Sequence, residues 1–125
     1  MPDPIVYIDT SEIRDGKLDE VKARVKGLAA FVEANNPHIL SYGFFFDDDA
    51  GRMMVVAVHP DSEALEHHMD VGREEFRKFG DLLDLVSIEV YGEVSESVRE
   101  RLDQKASMLG RGGVSIYGSH AGFAR

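Results

Sequence analysis

The sequence predicts an α+β fold of the ferredoxin-like kind, in which an antiparallel sheet carries its helices on one face. Four runs rich in β-branched and aromatic residues are typical of strands, and two segments with apolar residues at helical spacing lie between them. Their order, strand, helix, strand, strand, helix, strand, is that of the split βαβ arrangement. A chain of 125 residues has the length of one domain with a single core.

The composition excludes several classes of protein. Lys and Arg number 14 against 23 Asp and Glu, so the net charge is -9, and such a surface repels the phosphates of nucleic acids. The absence of cysteine excludes disulfides and thiolate chemistry. The N-terminus has no secretory-signal pattern, and no apolar run approaches the ~18 residues that span a bilayer. We therefore expect a cytoplasmic protein with neither nucleic acid nor membrane as a partner.

The first half of the chain contains three strands and a helix. A β-branched run predicts the first strand at residues 5–8. The helix that follows is predicted to end before Pro37, and its apolar positions are Leu18, Val21, Val25, Leu28 and Val32. Residues 38–46 and 52–59 form a hairpin, because both runs are apolar and a short acidic turn joins them.

The second helix is predicted in the stretch HPDSEALEHHMDVGREEFRKF, residues 59–79, which holds three of the five histidines. Asp61 or Ser62 would cap it. Gly72 lies in its interior, where glycine costs about 1 kcal/mol relative to alanine, so we expect two helical pieces with a bend near this residue. A fourth strand with alternating polar and apolar residues follows at residues 85–92.

The first three strands are apolar on both faces. Two helices can cover only one face of a four-stranded sheet, so the opposite face needs a different cover. The simplest cover is the same face of a second subunit, which predicts a homodimer.

Residues 95–125 form an extension beyond the domain predicted for residues 1–94. A capping pair, Ser97 and Glu100, and an apolar stripe predict a third helix. The sequence GRGG is expected to break it before a short strand at residues 114–117. This strand could dock on a sheet edge of its own subunit or of the partner.

The order of elements, together with one set of residues in the second helix, resembles the antibiotic biosynthesis monooxygenase-like family over about residues 4–92. The residues that fit the family's helix are Asp61, Glu63, Ala64, Leu65, His68 and Phe76. The resemblance implies a dimeric α/β-barrel. Relatives include quinol and anthrone oxygenases that need no metal or flavin, haem-degrading enzymes, lactone isomerases and proteins without known activity. Haem degradation is disfavoured, because the pattern of the haem-degrading members includes a tryptophan and this chain has none.

Two histidines are the candidate catalytic residues. His68 matches the family's helix histidine and lies on the apolar side, where it could act as a base toward a phenol or enol. The alternative is that His68 makes a core hydrogen bond. His59, at the end of the third strand, is the second candidate, although a strand-end residue that bonds to the adjacent loop is the favoured interpretation. His67 lies about 100° further round the helix and should face solvent.

The candidate ligand-binding residues are apolar or aromatic: Tyr42, Phe44, Tyr7, Met69 and Phe76. Such a wall suits a flat hydrophobic ligand, although it is also normal core, and core packing is the favoured interpretation for either tyrosine alone. No metal site is expected, because adjacent histidines do not provide the i, i+3 or i, i+4 spacing of a helical metal site. The resemblance likewise implies no cofactor.

Two functions follow. The first hypothesis is a cofactor-independent monooxygenase-like enzyme acting on a small aromatic or quinol-like molecule. The alternative is a non-catalytic homodimeric barrel that binds a hydrophobic small molecule or serves only in assembly.

Overall fold

The computed structural model describes residues 3–125, except for the side chain of Arg111. Its elements alternate much as the sequence predicts, with a third helix and a fifth strand at the end. In chain order they are β1 (Ile5–Ile13), α1 (Leu18–Asn35), β2 (Ser41–Asp47), β3 (Arg52–His59), α2 (Ser62–Arg77), β4 (Leu83–Tyr91), α3 (Glu96–Leu109) and β5 (Gly110–Tyr117).

The five strands form one open sheet in the order β2-β3-β1-β4-β5. The first four strands are antiparallel to their neighbours, and β5 lies parallel to β4 at the edge. Buried residues alternate along β1, β3 and β4, so one sheet face is covered and the helices lie on that face. The predicted α+β, ferredoxin-like fold is confirmed, and the docking edge of the last strand is the chain's own β4.

The covered face of β1 carries two polar residues in its second half. Ile5 and Tyr7 are buried, and the same alternation continues with Asp9 and Ser11, each 2% exposed. A strand that places a carboxylate in a core must give it a partner, since an unpaired buried charge is costly. The second half of β1 therefore requires polar partners inside the core.

Helix α2 is continuous, so the bend predicted near Gly72 is wrong. Asp61 caps the helix, and its side chain accepts a hydrogen bond from the Ala64 N–H at 2.8 Å. Gly72 is buried under the ring of Phe76, and a Cβ at this position would lie 2.3 Å from the Phe76 Cζ. Glycine is there to make room for the ring one turn later, and the helix stays regular.

The C-terminal extension differs from the prediction at both of its junctions. Ser95, and not Ser97, caps α3, accepting from the Val98 N–H at 3.2 Å. The GRGG sequence does not separate helix from strand, because β5 already begins at Gly110. A Cβ at Gly110 or Gly112 would lie 2.5 or 2.3 Å from the backbone of β4, so glycine permits close strand contact here.

The second sheet face carries no helix. Val6 and Ile8 point to it from β1, opposite Val58 and Val56 of β3, and Phe45 on β2 is 55% exposed. We call this surface the open sheet face. None of the described helices is both long enough and apolar enough to cross a membrane.

Candidate functional site

A buried ion pair joins the first strand to the last helix. The Lys105 Nζ on α3 lies 3.1 Å from the Asp9 Oδ2 on β1, and the two residues are 8% and 2% exposed. The same Nζ donates to the Tyr7 hydroxyl at 2.8 Å, and that hydroxyl donates to the Asp9 Oδ2 at 2.5 Å. Carboxylate, ammonium and phenol therefore form a closed triangle within the core.

The surroundings keep the Tyr7 phenol protonated. Burial raises the pKa of Tyr7 well above its usual value, and the negative charge of Asp9 raises it further. The Lys105 Nζ also lies 4.2 Å from the centre of the Phe76 ring and 4.9 Å from that of Tyr7. Aromatic faces attract cations, so these two rings help to hold the Lys105 head group in the core.

A small cavity of about 30 Å³ adjoins this triangle, and we call it the inner cavity. Its polar lining comes from Asp9, Ser11, Tyr42 and Lys105. The remaining lining is apolar and comes from all three helices and the sheet: Leu28, Phe44, Met53, Val55, Phe76, Phe79, Leu83, Leu85 and Leu109. A few convergent polar groups in an apolar concavity are the usual composition of a ligand site.

His68 lies behind this cavity as a neutral imidazole. Its Nδ1 is 2.8 Å from the Asn36 Oδ1, so the Nδ1–H donates to the amide oxygen. Burial, followed by the positive charge of Lys105, lowers the pKa of His68 to about 2. The ring packs 5.3 Å from the rings of Tyr42 and Phe76, measured between centres. His68 thus supports two residues that line the cavity.

His59 is fully buried next to it, with ring centres 5.2 Å apart. Neither of its ring nitrogens has a hydrogen-bond partner in the described part of the chain. Burial and the charge of Lys105 lower its pKa to about 4, with Asp61 acting in the opposite direction. A neutral ring is the form that such a site tolerates.

The predicted site residues fall into three groups. Tyr42, Phe44 and Phe76 line the inner cavity, Tyr7 belongs to the buried triangle, and Met69 lines a groove outside it. His68 and His59 form a second layer behind Tyr42. His67 is exposed as expected, with its Nε2 3.3 Å from the Asn35 carbonyl oxygen.

Sequence reasoning missed Asp9 and Lys105. The signal for Asp9 was its place in the alternation that begins with Ile5 and Tyr7. The signal for Lys105 was its position three residues after Leu102 and four before Leu109, within the buried stripe of α3. Neither signal identifies the partner, because the two charges are 96 positions apart.

A wider groove of about 360 Å³ lies between α2 and α3, and we call it the outer groove. Its lining residues are Met69, Asp70, Arg73, Phe76, Arg77, Glu100, Arg101, Gln104, Lys105 and Met108. Phe76 and Lys105 line both the outer groove and the inner cavity. Within residues 3–125, no three His, Asp or Glu side chains lie close enough together to share a metal ion.

The sheet order and the helix-covered face define the chain as an α+β protein with the fold of the antibiotic biosynthesis monooxygenases. No protein-family model matches the chain, and no curated protein matches it significantly. Among solved structures, MupZ from Pseudomonas fluorescens matches with 23% identity and a TM-score of 0.76, covering 98% of this chain and 95% of that one. Coverage this complete includes α3 and β5.

Two further neighbours bear the name putative antibiotic biosynthesis monooxygenase. The Chloroflexus aurantiacus protein is 16% identical, with a TM-score of 0.58, over 74% of this chain and 94% of that one. The Caulobacter crescentus protein is 18% identical, with a TM-score of 0.51, over 90% and 83%. At such identities the likeness concerns the fold. The resemblance to the antibiotic biosynthesis monooxygenase-like family, predicted from the order of elements and from α2, is confirmed for the fold.

Proposed function

We propose that the protein is an enzyme: a cofactor-independent monooxygenase acting on a small aromatic or quinol-like molecule bound at the inner cavity. The observation that carries the proposal is the buried Asp9–Lys105 pair at the wall of an apolar cavity. A carboxylate held in such surroundings can remove a proton, and an adjacent ammonium stabilises the anion that forms. The names of the fold neighbours support the oxygenase class.

The reaction that suits this arrangement begins with proton transfer from the substrate to the Asp9 carboxylate. Lys105 holds the resulting enolate or phenolate, and this electron-rich anion reduces molecular oxygen directly. For a ring methylene flanked by aromatic rings, one oxygen atom becomes a carbonyl and the other leaves as water with the two hydrogens. The substrate supplies all the electrons, so the balance requires only oxygen.

In this proposal the two histidines position other groups. A histidine with a pKa of about 2 holds a proton too weakly to serve as a base near neutral pH, and His68 does not line the cavity. We therefore assign the role of base to Asp9, the carboxylate that does line it. His68 packs against Tyr42 and Phe76, and His59 packs against His68, so both histidines set the shape of the cavity wall. Tyr42 and Phe44 would contact the ligand.

A second candidate function is a non-catalytic barrel that binds a hydrophobic molecule or serves only in assembly. The observation that favours assembly alone is the size of the inner cavity, about 30 Å³. An apolar cavity that admits benzene measures about 150 Å³, so this one must enlarge before it holds an aromatic ring. A protein that only assembles would have no need to enlarge it.

We also propose that the open sheet face pairs with the same face of a second copy of the chain. The support is a row of apolar residues, the valines with Ile8 and Phe45, that no helix or strand among residues 3–125 covers. Residues 95–125 belong to each protomer's own sheet through β5, and they supply Lys105 to the site.

Oxygen consumption with anthrone and with 1,4-naphthohydroquinone tests the proposed activity. We expect the rate above spontaneous oxidation to fall about 100-fold or more in Asp9→Asn and in Lys105→Met, since each removes a charge used in the proton transfer. Asp103→Asn, an exposed change on the same helix as Lys105, should leave it unaltered.

Two results would contradict the proposal. Equal rates in the wild type and in both site variants would show that neither Asp9 nor Lys105 takes part in the reaction. Tight binding of either compound with no oxygen uptake above background would favour the binding barrel.

A further inference from the structure

The inner cavity and the outer groove share two lining side chains, Phe76 and Lys105. The ammonium of Lys105 lies 4.2 Å from the centre of the Phe76 ring, and the ring packs against the bare backbone of Gly72. A displacement of these two side chains would bring together a space of about 30 Å³ and one of about 360 Å³.

The outer groove is lined by more cationic than acidic side chains, although the chain carries a net charge of -9. Four cationic side chains and two acidic ones line it, and one of the cations, Lys105, is paired with the buried Asp9. Arg101 is already paired with Asp70, at 2.6 Å between Nε and Oδ1. Arg73 makes no ion pair within the described residues, and Arg77 lies 3.8 Å from the exposed Glu74.

We propose that the outer groove is the entrance to the inner cavity and binds the anionic end of an elongated ligand through Arg73 and Arg77. The ligand's aromatic end passes Phe76 and reaches Asp9 and Lys105, so this inference rests on the site of the proposed function. Guanidinium groups bind carboxylate and phosphate oxygens with paired hydrogen bonds. Carboxylate and phosphate ligands of this kind would share one chemical feature, an oxyanion attached to an apolar ring system.

A matched pair of fluorescent probes tests the anionic specificity. 8-Anilinonaphthalene-1-sulfonate and N-phenyl-1-naphthylamine share one ring system, and only the first carries an anion. We expect Arg73→Gln/Arg77→Gln to raise the Kd of the sulfonate about tenfold, the loss expected for one hydrogen bond to a charged group. The Kd of the neutral probe should change less than about twofold, because apolar burial is unaffected.

Two control variants locate the effect. Arg24→Gln/Arg99→Gln removes the same charge from exposed positions outside the groove and should leave both Kd values unchanged. Phe45→Glu places a charge on the open sheet face and should also leave them unchanged. Loss of sulfonate binding in Phe45→Glu, equal effects of both arginine pairs, or failure of the wild type to bind the sulfonate would each overturn the proposal.

The same probes test the role of Phe76 as the barrier. Phe76→Ala removes one of the two side chains that line both spaces, so the neutral probe should associate about tenfold faster in a stopped-flow measurement, with its fluorescence increase retained. An unchanged association rate would overturn the entrance. Competition by aromatic carboxylates and by aromatic phosphates then distinguishes the two kinds of anion.

Failure here is distinguishable from failure of the proposed function. Anthrone carries no anionic group, so its oxidation depends on Asp9 and Lys105 and not on the two arginines. Retained anthrone turnover with no preference for the sulfonate probe would overturn the entrance alone.

Discussion

Lys105 and Asp9 illustrate how a charge can be retained inside a core. Each partner is almost completely removed from water, so its hydration must be replaced by the other charge and by the Tyr7 hydroxyl. Such a pair contributes little net stability compared with apolar residues of the same size, yet losing one partner is costly. Net stability alone therefore does not explain why the chain holds this pair.

The energetics of this pair can be tested with a double-mutant cycle. Lys105→Met leaves the Asp9 carboxylate buried without a cation, so we expect the free energy of unfolding to fall by about 3–5 kcal/mol. Asp9→Asn/Lys105→Met removes both charges and should recover most of that loss. Urea denaturation measures Lys105→Met, Asp9→Asn and the double variant, and additive effects of the two single changes would show that the pair is not coupled.

The two buried histidines predict a loss of stability in acid. In the unfolded chain they bind protons near pH 6.5, whereas in the folded chain the pKa is about 4 for His59 and about 2 for His68. Between the folded and the unfolded pKa values, the unfolded state binds more protons than the folded state. The free energy of unfolding therefore has its full value above about pH 6.5 and falls as the pH is lowered below it.

Urea titrations between pH 7.5 and 4.5 measure this dependence. His68→Gln should flatten the slope by up to about 1.4 kcal/mol per pH unit, the contribution of one proton. His67→Gln, at the exposed neighbouring position, should keep the wild-type slope. Identical slopes in all three proteins would mean that His68 does not exclude a proton.

For the individual helices and strands, the spacing of apolar residues predicted the structure better than the positions of the glycines did. Of the five apolar positions predicted for α1, the structure buries four, Val21, Val25, Leu28 and Val32. Leu18, the first residue of the helix, is only partly buried. The glycines were misread, because a glycine can mark a break in a helix or a close approach of neighbouring atoms. Gly72 and Gly112 are of the second kind, and the atoms they approach come from Phe76 one turn away or from the separate strand β4.

The glycines of β5 offer a matched pair of substitutions. A Cβ at Gly112 would lie 2.3 Å from the Val86 carbonyl oxygen, whereas a Cβ at Gly113 would have no atom within 4 Å. We expect Gly112→Ala to loosen β5 and to lower the free energy of unfolding by about 1–3 kcal/mol, the usual cost of overpacking.

Gly113→Ala should be neutral or slightly stabilising, because alanine restricts the unfolded chain. Hydrogen exchange of the β4 and β5 amides measures the loosening directly. Equal protection in the two variants would contradict the close contact between these strands.

At the scale of the whole molecule, the sequence predicted the second sheet face better than it predicted the site. Alternating apolar residues on both faces of β1 and β3 are visible in the sequence, and the structure leaves one of these faces open. The site needed a contact between Asp9 and Lys105, which no local pattern specifies. Periodicity predicts which face a residue occupies, but it does not predict the residue that faces it from a distant element.

The proposed dimer can be tested by one charge on the open sheet face. Val56 lies on β3 between Ile8 and Gly43, so Val56→Glu would bury a carboxylate in any interface formed there. Light scattering should give twice the chain mass for the wild type and the chain mass for the variant. Ala30→Glu, on the exposed side of α1, should remain dimeric. A monomeric wild type would contradict the pairing of these faces.

The ion pair between Asp9 and Lys105 also bears on the order in which contacts form while the chain is being synthesised. Residue 9 leaves the ribosome long before residue 105, so a nascent chain can pair β1 with β3 while its carboxylate still lacks the ammonium. Completing the site requires one of the longest-range contacts in the chain, and such contacts form late. The buried pair would therefore be complete only once the last helix has folded.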